Sequence, residues 1–179
     1  MVKRIHIMGA SGSGTTTLAK ALSERTGYKH FDSDNYYWNP TPIPFTQKRD
    51  SEDRNTLLAR DLESASSWIL SGSLCRWGEI KLPDFELVVY LYLPKDIRLQ
   101  RLIARERERY GADIDPDGSR HHLHNEFIEW ASQYDEAGPY MRSKALHSKW
   151  LAGLSCPVLR IEGDKTIEER LNIVLNAIM

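Results

Sequence analysis

The stretch MVKRIHIMGASGSGTTTLAKAL, residues 1–22, constrains this chain's possible structures more than any other. A short apolar run over residues 3–8 meets three glycines within six positions, Gly9, Gly12 and Gly14, and a helix-forming sequence follows. Glycines at that density let the backbone turn successive N–H groups inward, and a helix start adds unpaired N–H donors and a positive dipole end. The product is an anion cradle made of main chain. Residues 9–16 match G-x-x-x-x-G-K-[ST] at every fixed position but one, where Thr15 stands in place of lysine. The spacing predicts that Gly9, Ala10, Ser11, Gly12, Ser13, Gly14, Thr15, Thr16 and Thr17 surround a phosphate, with Thr16 at the hydroxyl position that ligates Mg²⁺. A plain tight turn between strand and helix is the simpler alternative.

The amide donors do not depend on a lysine. A charged hydrogen bond of the kind it makes contributes roughly 1.5 to 3 kcal/mol, so its loss weakens binding more than it abolishes it. The larger consequence is kinetic, because charge stabilisation of a transferring phosphoryl group is worth several powers of ten in rate. An active enzyme therefore needs another cation.

Five apolar runs, over residues 3–8, 28–31, 68–70, 87–93 and 158–161, alternate with helical patterns. Continuous runs such as LVVYLYL predict strands covered on both faces, the habit of parallel sheets between helices. The class is α/β, with a five-stranded, mainly parallel sheet. Helices are expected over about 14–26, with Gly27 as a left-handed cap, and over 51–64 and from Pro94 to about 109. A T-x-x-E capping box at Thr166 and Glu169 opens a terminal helix whose buried side includes Ile167, Leu171, Val174 and Ile178.

At 179 residues the chain suits one domain, residues 1–179. From residue 110 to 153 the pattern turns polar and aromatic, with helices expected near 125–135 and 139–151, an insertion reading as a lid over about 105–150. The 24 Lys and Arg nearly balance the 25 Asp and Glu, so no overall field draws in nucleic acid or an acidic membrane. Two cysteines, Cys75 and Cys156, make no disulfide framework, and no apolar stretch suits a signal peptide or membrane helix, so a cytoplasmic setting is expected.

Several clusters admit two readings. In IRLQRLIARERERYG, Arg98, Arg101 and Arg105 share a helical face and can converge on a phosphate, or Glu106 and Glu108 can neutralise a solvated face. In FDSDNYYW, Asp32 and Asp34 lie two apart at a strand's end, so an extended backbone puts both carboxylates on one side; Asx-type capping of the next turn is the alternative. The aromatic and proline residues of YYWNPTPIPF form an acceptor wall or an ordered covering loop. His121, His122 and His124 lack a convincing set of partner ligands for zinc, and Phe127, Trp130, Ala131 and Tyr134 have the spacing of a packed helix.

With its strand, glycine loop and helix, its acidic D-S-D motif and its arginine-rich helix before an insertion, the chain resembles the nucleoside-monophosphate kinase and shikimate kinase branch of P-loop proteins. It is most similar to small bacterial adenylate-kinase-like proteins that carry the loop GASGSGTTTLA. The resemblance implies a three-layer P-loop fold, ATP and Mg²⁺ as cofactors, and a nucleoside monophosphate or small metabolite as phosphoryl acceptor. It implies that Asp32 holds metal-bound water and that Asp34 orients or deprotonates the acceptor, while Arg101 and Arg105 supply the replacement charge. Members of that branch end their third strand in Asp-Gly and grip the acceptor phosphate with a nearby arginine. Here Ser71 stands in the acidic position, shifting metal duty to Asp32, and Arg76 falls one residue late, either binding acceptor or stacking on Trp77. RIEGDKTIEE resembles the adenine-facing loop, implicating Gly163. A protein that binds nucleotide without transferring phosphate is the rival class, with Thr15 as its main support.

Overall fold

The computed structural model describes residues 1–78, 80 and 82–179. Its strands are β1 (Arg4–Gly9), β2 (Lys29–Asp32), β3 (Trp68–Ser71), β4 (Leu87–Tyr92) and β5 (Val158–Glu162). They lie in the order β2-β3-β1-β4-β5, and every pairing is parallel. The helices are α1 (Thr15–Thr26), α2 (Ser33–Tyr37), α3 (Ser51–Glu63), α4 (Lys95–Tyr110), α5 (His121–Ser132), α6 (Lys144–Ala152) and α7 (Ile167–Ile178), with a 3₁₀ turn at Gly111–Ile114.

A parallel sheet must be covered on both faces, and the apolar runs are used for that. Ile5, Ile7, Val89 and Leu91 pack with Leu18 and Leu22 of α1 and Leu171, Val174 and Ile178 of α7. Trp68 and Leu70 pack with Leu58 and Leu62 of α3, while Met8, Val88 and Tyr90 pack with Leu151 of α6. Central β1 delivers its glycine loop at the carboxyl edge of the sheet, where chain direction switches from one side of β1 to the other.

Helix ends follow the expected chemistry. Gly27 ends α1 in the left-handed region at φ 73°, and its N–H donates to the Ser23 carbonyl. The Thr166 and Glu169 capping box is present in both directions. Thr166→Ala is expected to cost about 1 kcal/mol, read as a lower midpoint in urea unfolding; an unchanged midpoint would mean the cap contributes nothing.

The buried side of α7 differs from expectation at one end. Ile167, in the first turn, is 36% exposed, whereas Arg170 is 1% exposed and takes the interior place. The apolar stripe therefore carries a cation. In α4 the inward positions are Arg98, Leu102 and Glu106, and Ile103 faces solvent.

Candidate active site

The phosphate-loop residues span the turn between β1 and α1. Gly12, at φ 84°, backs onto α4, where an added Cβ would lie 2.7 Å from the Arg98 carbonyl oxygen. A Cβ on Gly9 would meet Ser13 Oγ at 2.5 Å and the Leu91 carbonyl at 2.6 Å. The loop tolerates no side chain at these points, so its path is set by main chain alone. Ser13 Oγ is buried without a hydrogen-bond partner among the described residues. Thr15 and Thr16 form the first turn of α1, with Gly14 as N-cap, and Thr17 is exposed.

Asp32 gathers the next part of the site. Its Oδ2 accepts from Thr16 Oγ1 at 2.7 Å and from Ser71 Oγ at 3.1 Å, and Ser71 Oγ lies 2.9 Å from His30 Nε2. Its Oδ1 accepts the Asp34 N–H at 3.0 Å. That last contact corrects the extended-backbone reading. The chain turns helical directly after Asp32, which caps α2, so Asp34 lies in the first turn of a helix. Capping and site-building are one arrangement, because the carboxylate has two oxygens and uses them separately.

Asp34 keeps an exposed surface yet sits in a crowded cleft. Loss of water around the carboxyl raises its pKa, and the Asp32 charge adds to this; Arg142, Arg105 and Arg109 pull it down. Arg109 also reaches across to the loop after α2, with its guanidinium 5.6 Å from the Phe45 ring.

The arginines expected to converge divide by role. Arg98 is fully buried, donating to Asp135 at 2.9 Å and to the Ala131 carbonyl at 2.8 Å, with its guanidinium 5.1 Å from the Tyr134 ring. It ties α4 to α5 and lies behind the phosphate loop, its Cγ 3.0 Å from where a Gly12 Cβ would stand. Arg101 donates to Asp164 at 2.6 Å, joining α4 to the loop after β5. Arg105 donates to its neighbour Glu106 at 3.3 Å and lies 5.9 Å from the Phe127 ring, with its side chain 44% exposed. Arg76 does not stack on Trp77. It adopts φ 67° and donates to the Tyr140 carbonyl, while Arg54 takes the ring faces of Trp77 and Tyr37 at 4.8 and 4.9 Å.

The insertion is anchored by a buried chain of polar groups. Tyr90 and Tyr134 hydroxyls lie 2.8 Å apart, Tyr134 meets His147 Nδ1 at 2.8 Å, and His147 Nε2 lies 3.1 Å from Ser73 Oγ. Ala131 and Tyr134 are buried as the spacing predicts, while Phe127 and Trp130 stack in half-buried positions. Among the histidines of the insertion, His121 meets the Ile114 carbonyl at 3.0 Å and His122 meets Glu126 at 3.3 Å.

Arg142 and Arg170 escape sequence reading for different reasons. Arg142 falls in the helix expected over 139–151, but Ser143 caps α6 and the helix starts only at Lys144, so Arg142 lies in an irregular segment before it. Arg170 falls four residues before Val174 and eight before Ile178, so a charged residue on the apolar stripe of α7 was the available signal.

Comparison with known families matches residues 5–129 to the AAA domain. YqaC of Bacillus subtilis strain 168, an uncharacterized protein, is 51% identical over 176 residues, covering 98% of this chain and 97% of that one. A shikimate kinase of Acinetobacter baumannii strain AYE is 30% identical over 107 residues, covering 54% of this chain and 59% of the relative. A cytidylate kinase of Natronomonas pharaonis is 28% identical over 116 residues, covering 57% and 58%. The chain thus spans a little under three fifths of those two kinases. Among solved structures, deoxyadenosine kinase of M. mycoides with bound dATP has TM-score 0.59 at 12% identity, covering 97% of both chains. Shikimate kinase of Acinetobacter baumannii with shikimate has TM-score 0.52 at 18% identity, covering 99% of this chain and 95% of that one. At these identities the likeness is one of fold. With the family match over most of its length, the loop at the end of β1 and the all-parallel sheet, the chain belongs to the AAA-domain family of P-loop proteins, with shikimate and cytidylate kinases as homologues.

Proposed function

We propose that the chain transfers the γ-phosphoryl group of ATP to a small-molecule acceptor, a nucleoside monophosphate or small metabolite, in a cytoplasmic setting. The reading treats residues 1–179 as one domain with residues 105–150 as its lid. The observation that carries it is the meeting of Thr16, Asp32 and Ser71 oxygens beside the loop.

These residues fit the groups they would receive. Three hard oxygens gathered at one point suit Mg²⁺, and a loop with no room for side chains suits phosphate oxygens. Mg²⁺, when bound, neutralises phosphate charge. Residues 9–17 hold the phosphates through main-chain amides. Thr16 and Asp32 hold the metal, and Ser71 fixes the Asp32 oxygen that Thr16 also binds. Asp34, less acidic than an ordinary carboxyl, sits where it can accept an acceptor's hydroxyl proton. Arg101 and Arg105 offset charge on the migrating group. Arg76, exposed and using one N–H at Tyr140, keeps other donors for an acceptor.

A coupled assay with ATP, Mg²⁺ and a panel of nucleoside monophosphates, shikimate, gluconate and small alcohols tests this, and one acceptor should yield ADP. Binding of MgATP with no ADP from any acceptor would favour the second reading, a nucleotide-binding module without transfer. Its support is the commitment of Arg98 to Asp135 and of Arg101 to Asp164.

Asp32→Asn should separate charge from shape. Asparagine still accepts the Asp34 N–H and caps α2, so the unfolding midpoint stays within about 0.5 kcal/mol of the parent. The Mg²⁺ concentration for half-maximal activity should rise about tenfold or more, because metal affinity depends on ligand charge. Unchanged Mg²⁺ dependence would remove Asp32 from the metal site.

A further inference from the structure

Among the described residues three arginines are almost wholly buried, and they are compensated differently. Arg98, 0% exposed, has the Asp135 carboxylate. Arg54, 8% exposed, lies on the Tyr37 and Trp77 rings, whose faces attract a cation. Arg170, 1% exposed, has neither. Its Nη1 donates to the Ser13 carbonyl at 2.8 Å and its Nη2 to the Gly163 carbonyl at 3.4 Å. Its Nε has no partner, and no carboxylate lies within ion-pairing distance of it, among the described residues. An added Cβ on Gly14 would lie 3.2 Å from Arg170 Nη1, so the guanidinium touches the turn that opens α1.

Burying an ion without a counter-ion is costly, and natural proteins pair such groups. The pressure is visible here, since burial and the neighbouring Arg101 charge both depress the Arg170 pKa, and only Asp164 works the other way. A cation kept in this state directly behind an anion cradle has a natural counter-ion in what the cradle binds. The site also lacks its usual ammonium at Thr15.

We propose that Arg170 is a positioning residue for the phosphate loop: it holds the Ser13 carbonyl back so that the amides face the ligand, and supplies the fixed positive charge missing at Thr15. The role rests on nucleotide binding at this loop, the reading given above. Because the guanidinium bonds to both Ser13 and Gly163, it also locks the phosphate loop to the loop after β5. Arg170 acts through the loop's backbone.

The test compares wild type, Arg170→Gln and Arg170→Lys by calorimetry at low salt with MgADP, inorganic tripolyphosphate and adenosine. Arg170→Gln should weaken MgADP and tripolyphosphate alike by about tenfold and leave adenosine unchanged, whereas Arg170→Lys, which keeps the charge, should stay within about threefold of wild type. Thr15→Lys added to Arg170→Gln should recover phosphate affinity. A merely structural arginine would lower the melting temperature of apo and nucleotide-bound protein equally and leave phosphate affinity in place. Wild-type protein labelled with ¹⁵N-arginine gives a readout independent of any variant's folding. The Arg170 guanidinium resonances should shift with MgADP and tripolyphosphate and stay fixed with adenosine, while those of Arg54, held on the Tyr37 and Trp77 rings, stay fixed with all three. Equal MgADP affinity in Arg170→Gln, no recovery by Thr15→Lys, or a silent Arg170 resonance would overturn the assignment while leaving nucleotide binding intact. Wild type that binds neither MgADP nor tripolyphosphate would overturn that reading and this role together.

Discussion

Arg105→Ala is expected to lower kcat by about a thousandfold while the Kd for MgATP moves by less than about threefold. The asymmetry follows from where charge appears. On the proposed reading main-chain amides hold the ground-state phosphates, so a side chain that meets the phosphoryl group only in flight contributes to the transition state and little to binding. Arg105 suits this better than its neighbours on α4. Arg98 is spent on Asp135 and Arg101 on Asp164, but among the described residues Arg105 pairs with no acid except its neighbour Glu106, and it lies near enough to Asp34 to pull its pKa down. Arg101→Ala should give a smaller loss, since it first breaks an exposed pair. If Arg105→Ala reduces kcat and MgATP affinity in equal proportion, Arg105 is a binding residue and the transferred charge is met elsewhere.

The fold itself should be acid-labile. His6 is fully buried, stacked on Phe85 at 5.0 Å with Nδ1 3.0 Å from the Leu70 carbonyl, and burial drives its pKa down to about 4. His147, also fully buried, is pushed down to about 3 by burial first and then by the Arg142 and His6 charges. Both values lie below that of an unfolded histidine, so the unfolded chain takes up protons first as pH falls. Stability from these two groups is whole above about pH 6.5 and drains away below it. Each loses about 1.4 kcal/mol per pH unit, so together they remove on the order of 4 kcal/mol between pH 7 and 5, a large share of a typical domain's total. Urea unfolding at the two pH values measures this. His147→Asn should shallow the slope by about half, and a stability equal at pH 7 and 5 would mean that both histidines are solvated.

What could be read in advance follows from how local its cause is. The five strands, the Gly27 cap, the Thr166 capping box and the loop from Gly9 all depend on neighbours within a few positions, and periodicity or spacing exposes them. The path after Asp32 was not legible, because whether Asp34 extends or coils depends on which oxygen Asp32 gives to Thr16, sixteen residues away. The division of the arginines was hidden for the same reason. Asp135 and Asp164 reach Arg98 and Arg101 only after the insertion and β5 have folded back, and helical spacing alone says nothing of them. Ser71 was noted as a missing aspartate; its place as a second hydroxyl donor to Asp32 needed β2 and β3 in register, Asp32 against Ser71.

At Gly12 the phosphate loop lies directly against the Arg98 carbonyl of α4, with the Leu102 and Arg98 side chains closing in beside it. Segments packed that closely cannot slide or tilt independently, because close-packed interiors yield little. The Arg98–Leu102 stretch of α4 and the phosphate loop are therefore held as one body. On the proposed reading, a lid over residues 105–150 would bend beyond Leu102 and leave the seat itself in place.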